Sequence, residues 1–263
     1  MKNNDYEKQF IKQFQEIAPH YRRSEVFFDF IAIFSLELYL VAHKYSVSSS
    51  LQNIYKESFS RYTQKELEEL SALSVIVIRA LEAKAYDFLG TIFMSLNLGD
   101  QYKSQYFTPN HVADLMAQMT LCNYRDCIEK QGYISISEPC CGSGVMIIAC
   151  YNVLKSGGFN PQQQMWVQAR DLDFTAAMMC YIQMTLLGIP GEVIVGNTLT
   201  HEVKHHCYTL FHVLNNWDIR LKLGQRIKLQ ESSLISEAGN NVDNSQNDSF
   251  LEQIDWENDV IFY

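Results

Sequence analysis

The residues best placed to do chemistry form one run, Ser137-Glu138-Pro139-Cys140-Cys141-Gly142-Ser143-Gly144, where an alternating apolar stretch gives way to a helical one. Glycines at 142 and 144 let the main chain come close to a ligand, and a helix starting there directs free N–H groups and its positive dipole end outward. An anionic carboxylate fits those donors. Glu138 adds an acceptor that can hold an ammonium group, so the turn could grip both charges of an amino-acid moiety. Further on, Ala169-Arg170-Asp171-Leu172-Asp173 puts an acid, Asp171, at a predicted strand end, where such acids commonly bind ribose hydroxyls. Gly196-Asn197-Thr198 puts a side-chain amide, both donor and acceptor, where it could read an adenine edge. Taken singly, each signal also reads as a plain Gly-rich turn or a helix cap; their order and spacing make the case.

These residues need a sheet to position them. From about residue 133 short β-branched or alternating runs occur at Tyr133 to Ser137, Met165 to Ala169 and Glu192 to Val195, separated by helix-like stretches at roughly 144–155 and 175–187. This βαβαβ pattern predicts a doubly wound α/β sheet with right-handed crossovers and a site at its carboxyl edge. The first hundred residues read as helical: Phe10, Ile11, Phe14, Ile17 and Ala18 share one face, and Thr63 with Glu66 makes a capping box. The apolar run from Val26 to Ala42 is interrupted by Asp29 and Glu37, which suits a core helix and not a membrane span. After Thr200 the pattern weakens: Tyr208 to Leu221 could be helical, and Arg220 to Leu229 could form a hairpin around Gly224-Gln225.

With 263 residues, 47% of them hydrophobic, the chain can bury a good core. Three parts are expected: a helical region over 1–100, a cofactor-binding α/β domain over 101–230, and an acidic, mobile tail over 231–263. Seven cysteines without a secretory leader suit free thiols in a reducing, cytoplasmic compartment, and no membrane partner is expected. The net charge of −9 resides almost wholly in the tail, which holds eight acids and no Lys or Arg, leaving the body near −1. Nonspecific phosphate attraction is therefore weak, and DNA affinity would need a local patch or a basic partner. Arg220, Lys222, Arg226 and Lys228 form the densest basic stretch, though a solvated face explains them equally well.

Over roughly residues 85 to 200 the chain resembles the N6-adenine DNA methylases typified by the modification subunit of type I restriction–modification systems. The motifs that carry this are Asp87-Phe88-Leu89-Gly90, Gln105-Tyr106-Phe107-Thr108-Pro109, the Glu-Pro-Cys-Cys-Gly-Ser-Gly turn, Asp171, and Gly196-Asn197-Thr198-Leu199, in the family's order. The resemblance implies a Rossmann-like S-adenosylmethionine-dependent methyltransferase sheet preceded by a helical N-terminal domain. It implies S-adenosylmethionine as cofactor, with Gln105, Tyr106, Phe107, Thr108 and Pro109 over it, Glu138, Cys140, Cys141, Gly142, Ser143 and Gly144 around its methionine portion, Asp171 on the ribose and Asn197 at the adenine. It also implies DNA adenine N6 as acceptor and a separate specificity subunit as partner.

Asn110 stands where type I subunits usually carry Arg, and Asn197 where many relatives have Asp. The family's catalytic Asn/Asp-Pro-Pro-aromatic motif, expected soon after Leu199, is nowhere in the chain; Asn215 and Trp217 are the nearest candidates. Such a motif receives a flipped adenine, its Asn accepting from the N6 amine and its aromatic ring stacking on the base. Two functions remain: an adenine-N6 methyltransferase, or a non-catalytic cofactor-binding or interaction module derived from one. His201-Glu202-Val203-Lys204-His205 matches a zinc-protease pattern, but Lys204 would put a charge inside a helix that such enzymes bury, and no metal site is expected.

Overall fold

In a computed structural model of the chain, the described residues are 3–42, 48–98, 108–224 and 261–262. Their helices are α1 (Asn3–Glu16), α2 (Arg23–Ala42), α3 (Ser49–Ser60), α4 (Gln64–Ala83), α5 (Phe88–Ser95), α6 (Asn110–Thr120), α7 (Tyr124–Gln131), α8 (Val145–Ser156), α9 (Pro161–Gln164), α10 (Phe174–Leu187) and α11 (Leu210–Leu214), with a further helical stretch at 217–224. The strands are β1 (Ile134–Glu138), β2 (Met165–Asp171), β3 (Gly191–Gly196), β4 (Val203–Tyr208) and β5 (Ile261–Phe262), in the sheet order β4-β3-β2-β1-β5. β5, β1, β2 and β3 run parallel, and β4 is antiparallel to β3 with a bulge at Val195/Gly196.

The fold is therefore the predicted α/β sheet preceded by helices. β1 and β2 alternate buried with half-buried residues, so one face packs fully under the crossover helices, while β3 is buried along its whole length. Ile134, Ile136, Met165, Val167, Ala169 and Val193 join α8 and α10 in one hydrophobic core that also takes in Phe10, Phe14 and Phe27 from the helical region. α2 lies on α10, which ties the helical region to the sheet.

The capping box at Thr63 forms, with Glu66 accepting from the Thr63 N–H. Of the predicted stripe on α1, Phe10, Phe14, Ile17 and Ala18 are buried and Ile11 is half-buried. α2 is a core helix; of the two acids that interrupt it, Glu37 is exposed and Asp29 accepts from both the Arg61 guanidinium, at 3.0 Å, and the Tyr62 hydroxyl, at 2.8 Å. Among the described residues no helix is long and apolar enough to cross a membrane. All seven cysteines are free thiols.

Two readings that the sequence set aside or left open after Thr200 are decided by the structure. Residues 203–208, which include His205, form β4 and not a helix, so His201 and His205 do not share a helical face; β4 wins because Cys207 buries against Val193 across the ladder. Residues 217–224 are helical, so no hairpin closes at Gly224 on the described side; positions 225–230 lie outside the described residues. The expected tail, 231–263, also lies outside them except for β5, which pairs with β1.

Candidate active site

Three strand ends meet at the carboxyl edge of the sheet. The Glu138 carboxylate accepts from the Cys140 N–H at 3.0 Å, closing a tight turn directly after β1. The Cys141 N–H donates to the Arg170 carbonyl at 2.8 Å, and the Gly142 N–H donates to Asp171 Oδ2 at 2.8 Å, which binds that turn to the end of β2. Asp171 Oδ1 accepts from the Asp173 N–H at 2.9 Å. The Thr198 hydroxyl donates to the Pro139 carbonyl, which brings the end of β3 against the same turn. The structure thus gathers Glu138, Cys140 to Gly144, Asp171 and Asn197 at one edge, as their parallel strands require.

Gly144 caps the start of α8 at φ +98°, a left-handed conformation, and a side chain there would run into the Cys180 sulfur on α10. Only glycine lets the turn sit this close to α10. Asn197 spends its Oδ1 on the N–H groups of Leu199, at 2.9 Å, and Thr200, at 3.3 Å.

The site is acidic. Burial raises the Glu138 carboxyl to about 7, with the nearby Asp171 charge adding to the effect and the Cys140 N–H opposing it. Burial likewise raises Asp171, against the N–H groups of Asp173 and Gly142. Two carboxylates at one partly closed edge favour a cation or hydroxyl donors between them. Burial and these two acids also push the Cys140 thiol up, which keeps it protonated and a poor nucleophile.

Behind the turn lies a layer that sequence reasoning did not assign. The Ser143 side chain, wholly buried, points inward and donates to Asp87, so this residue presents backbone, not hydroxyl, to the site. Asp87 caps α5, and Gln183 on α10 contacts Asp87, α5 and the turn. The available signal was a glutamine in the middle of the apolar run Phe174–Leu187, since a buried amide in such a helix has to find partners.

Thr108 is half-exposed and Pro109 caps α6, whose first residue, Asn110, accepts the Asp87 N–H at 2.9 Å. Gln105, Tyr106 and Phe107 lie outside the described residues. Asn215 and Trp217 are not brought to the site. Asn215 donates to the Gln162 carbonyl ahead of β2, and Trp217 is fully buried with its ring edge-on to Tyr133 ahead of β1. Both stand at the amino edge of the sheet, a strand length of about 20 Å from the other edge. The physical reason is that β4 carries the chain back along β3 before these residues occur.

Residues 83–251 match the model of the N-6 DNA methylase family, and the chain belongs to that family. Among solved structures it is similar to a Listeria monocytogenes protein assigned to the class I S-adenosylmethionine-dependent methyltransferases, with 15% identity, a TM-score of 0.37, and 72% of this chain and 52% of that one covered. It is also similar to the type I restriction-modification system methyltransferase subunit of Streptococcus thermophilus, with 14% identity, a TM-score of 0.36, and coverage of 72% and 57%. The chain spans little more than half the length of either structure. No curated protein matches it.

Proposed function

We propose that this chain is the S-adenosylmethionine-binding part of an adenine-N6 DNA methyltransferase of the type I modification-subunit kind, acting on DNA with a separate specificity subunit. The observation that carries this reading is the tying of three strand ends into one acidic edge with an open glycine turn. The residues present suit the cofactor. Gly142 to Gly144, at the start of α8, offer main chain to its carboxylate, Glu138 its ammonium an acceptor, Asp171 its ribose hydroxyls an acceptor, and Asn197 a free amide N–H₂ to its adenine. When bound, the cofactor supplies a methyl group on a sulfonium centre. The chain's own part is to bind, orient and exclude water, which is where most of the rate enhancement for such a transfer arises.

A second reading, a non-catalytic cofactor-binding module, is favoured by one observation: the region after Leu199 supplies β4 where the acceptor motif was expected, and Asn215 and Trp217 face the other edge. Calorimetric titration with S-adenosylmethionine, followed by transfer of labelled methyl to DNA, separates the readings: binding with transfer supports the enzyme, binding alone the module. Folded protein that binds nothing overturns both.

The titration of Glu138 makes binding pH-dependent. Its folded value, about 7, lies above the ordinary carboxylate value, so the ligand-free protein loses stability as pH rises from about 4.5 to 7 and holds level above that. An ammonium beside Glu138 reverses this, because it favours the ionised form. Cofactor affinity is therefore expected to rise with pH up to about 7, by at most about tenfold per unit, with proton release on binding below that value. Calorimetry at pH 6 and 8 in buffers of different ionisation enthalpy measures both effects. Glu138→Gln should flatten the profile, and an unchanged profile would remove Glu138 from the ammonium site.

Trp217 gives an opposite test. Its indole N–H is buried with no hydrogen-bond partner among the described residues, so Trp217→Phe trades some packing for relief of that group. Stability should move by about 1 kcal/mol or less, and cofactor affinity should not move; a tenfold loss of methyl transfer with normal binding would return Trp217 to the acceptor site.

A further inference from the structure

The structure assigns Asp87 and Gln183 as positioning residues that set where the Gly142–Gly144 turn meets the amino-acid end of the ligand. The inference rests on the proposed cofactor site and adds a requirement behind it. Asp87, Ser143 and Gln183 are all buried, at 2%, 0% and 0% exposure. Asp87 Oδ1 accepts from the Gly90 N–H at 2.9 Å and from Gln183 Nε2 at 2.8 Å, and its Oδ2 accepts from the Ser143 hydroxyl. Gln183 Nε2 also donates to the Ser143 carbonyl at 2.8 Å, while its Oε1 accepts from the N–H groups of Phe88, at 2.9 Å, and Leu89, at 3.2 Å. Every polar atom of the two side chains is thus used, and two of the bonds end on residue 143, between the site glycines. Such a fully satisfied buried network has one geometry, so it holds the turn at a fixed depth.

Two details support the assignment. A side chain at Gly90 would overlap both the Asp87 carboxylate and the Ser143 hydroxyl, so the glycine at the third place after Asp87 is what lets α5 approach the turn. The Asp87 carboxylate caps the N-terminus of α5 and meets Ser143 just ahead of the α8 N-cap, so the positive dipole end of α5 faces it where its partners among the described residues include no cation. Burial raises this carboxyl, and its three donors oppose the rise.

The test compares two ligands on the same variants. S-adenosylmethionine presents an amino-acid end to the turn; methylthioadenosine lacks that end and keeps the ribose and adenine. Gln183→Leu removes the bond to the Ser143 carbonyl and is expected to weaken S-adenosylmethionine about tenfold while leaving methylthioadenosine within twofold. Ser143→Ala, the smaller change should Gln183→Leu fail to fold, is expected to do the same at about fivefold. Asp87→Asn should keep both ligands within threefold, because the Ser143 hydroxyl can turn to accept from the new amide. Unaltered S-adenosylmethionine binding in folded Gln183→Leu or Ser143→Ala, or equal weakening of both ligands, overturns the inference and leaves the cofactor site standing. Wild-type protein that binds neither ligand overturns the cofactor site and the inference together, and Asp171→Ala, which should weaken both ligands, marks the difference.

Discussion

Asp171→Ala is expected to weaken S-adenosylmethionine binding by about 1 to 3 kcal/mol, roughly 5- to 150-fold, the range for losing a hydrogen bond to a charged group. The loss has two sources. The carboxylate is the acceptor offered to the ribose, and it also holds the Gly142 N–H at 2.8 Å and the Asp173 N–H at 2.9 Å. Its two oxygens carry about four acceptor positions, so these bonds leave room for ribose hydroxyls. The side chain that binds the ligand therefore also shapes the turn, and alanine removes both functions. Because burial raises the Asp171 carboxyl, the ligand-free variant should be no less stable through loss of the charge itself; destabilisation would come from the two N–H groups left without a partner. Calorimetry on the folded variant, with its thermal midpoint measured alongside, tells these apart. Wild-type affinity in folded Asp171→Ala would end the ribose assignment.

Gly144→Ala should be the most damaging small substitution in the site. Holding a residue with a side chain at φ +98° costs about 1 to 2 kcal/mol, and forcing its methyl group against the Cys180 sulfur adds about 1 to 3 kcal/mol of overpacking. For a chain of this size the sum corresponds to a fall of roughly 4 to 20 °C in thermal midpoint. The two terms separate in a double-mutant cycle. Cys180→Ala makes room, so in that background the alanine at 144 should recover the overpacking share and keep the backbone share. Additive losses in the cycle would mean that the turn does not lean on α10. Gly90→Ala gives a milder version of the same effect, an expected loss of about 1 to 3 kcal/mol as Asp87 and Ser143 are pushed apart.

The parts of the fold and site that were legible in the sequence are those fixed by local period and by strand ends. The runs read at 133–137, 165–169 and 192–195, which fall on β1, β2 and β3, alternate or are largely apolar because their neighbours are sheet and helix, and the turn from Glu138 to Gly144 follows the first of them directly. Once three strands are parallel and adjacent, residues that end each of them share an edge, so Glu138, Asp171 and Asn197 could be grouped without knowing a single contact. Residues 203–208 failed that logic. Lys204, His205 and His206 at a sheet edge have no strong period, and only pairing with β3 makes them a strand.

What the sequence by itself determined is thus the α/β sheet, its carboxyl-edge turn and the order of the site residues, since these follow from periodicity and chain direction. Tertiary structure alone decided the rest. It turned Ser143 inward to Asp87, placed Gln183 between two helix starts and the turn, and sent Asn215 and Trp217 to the opposite edge. The common reason is range: these bonds join residues 40 to 96 positions apart, or follow a reversal of the chain at β4, and no local pattern encodes which distant partner a buried polar group will find.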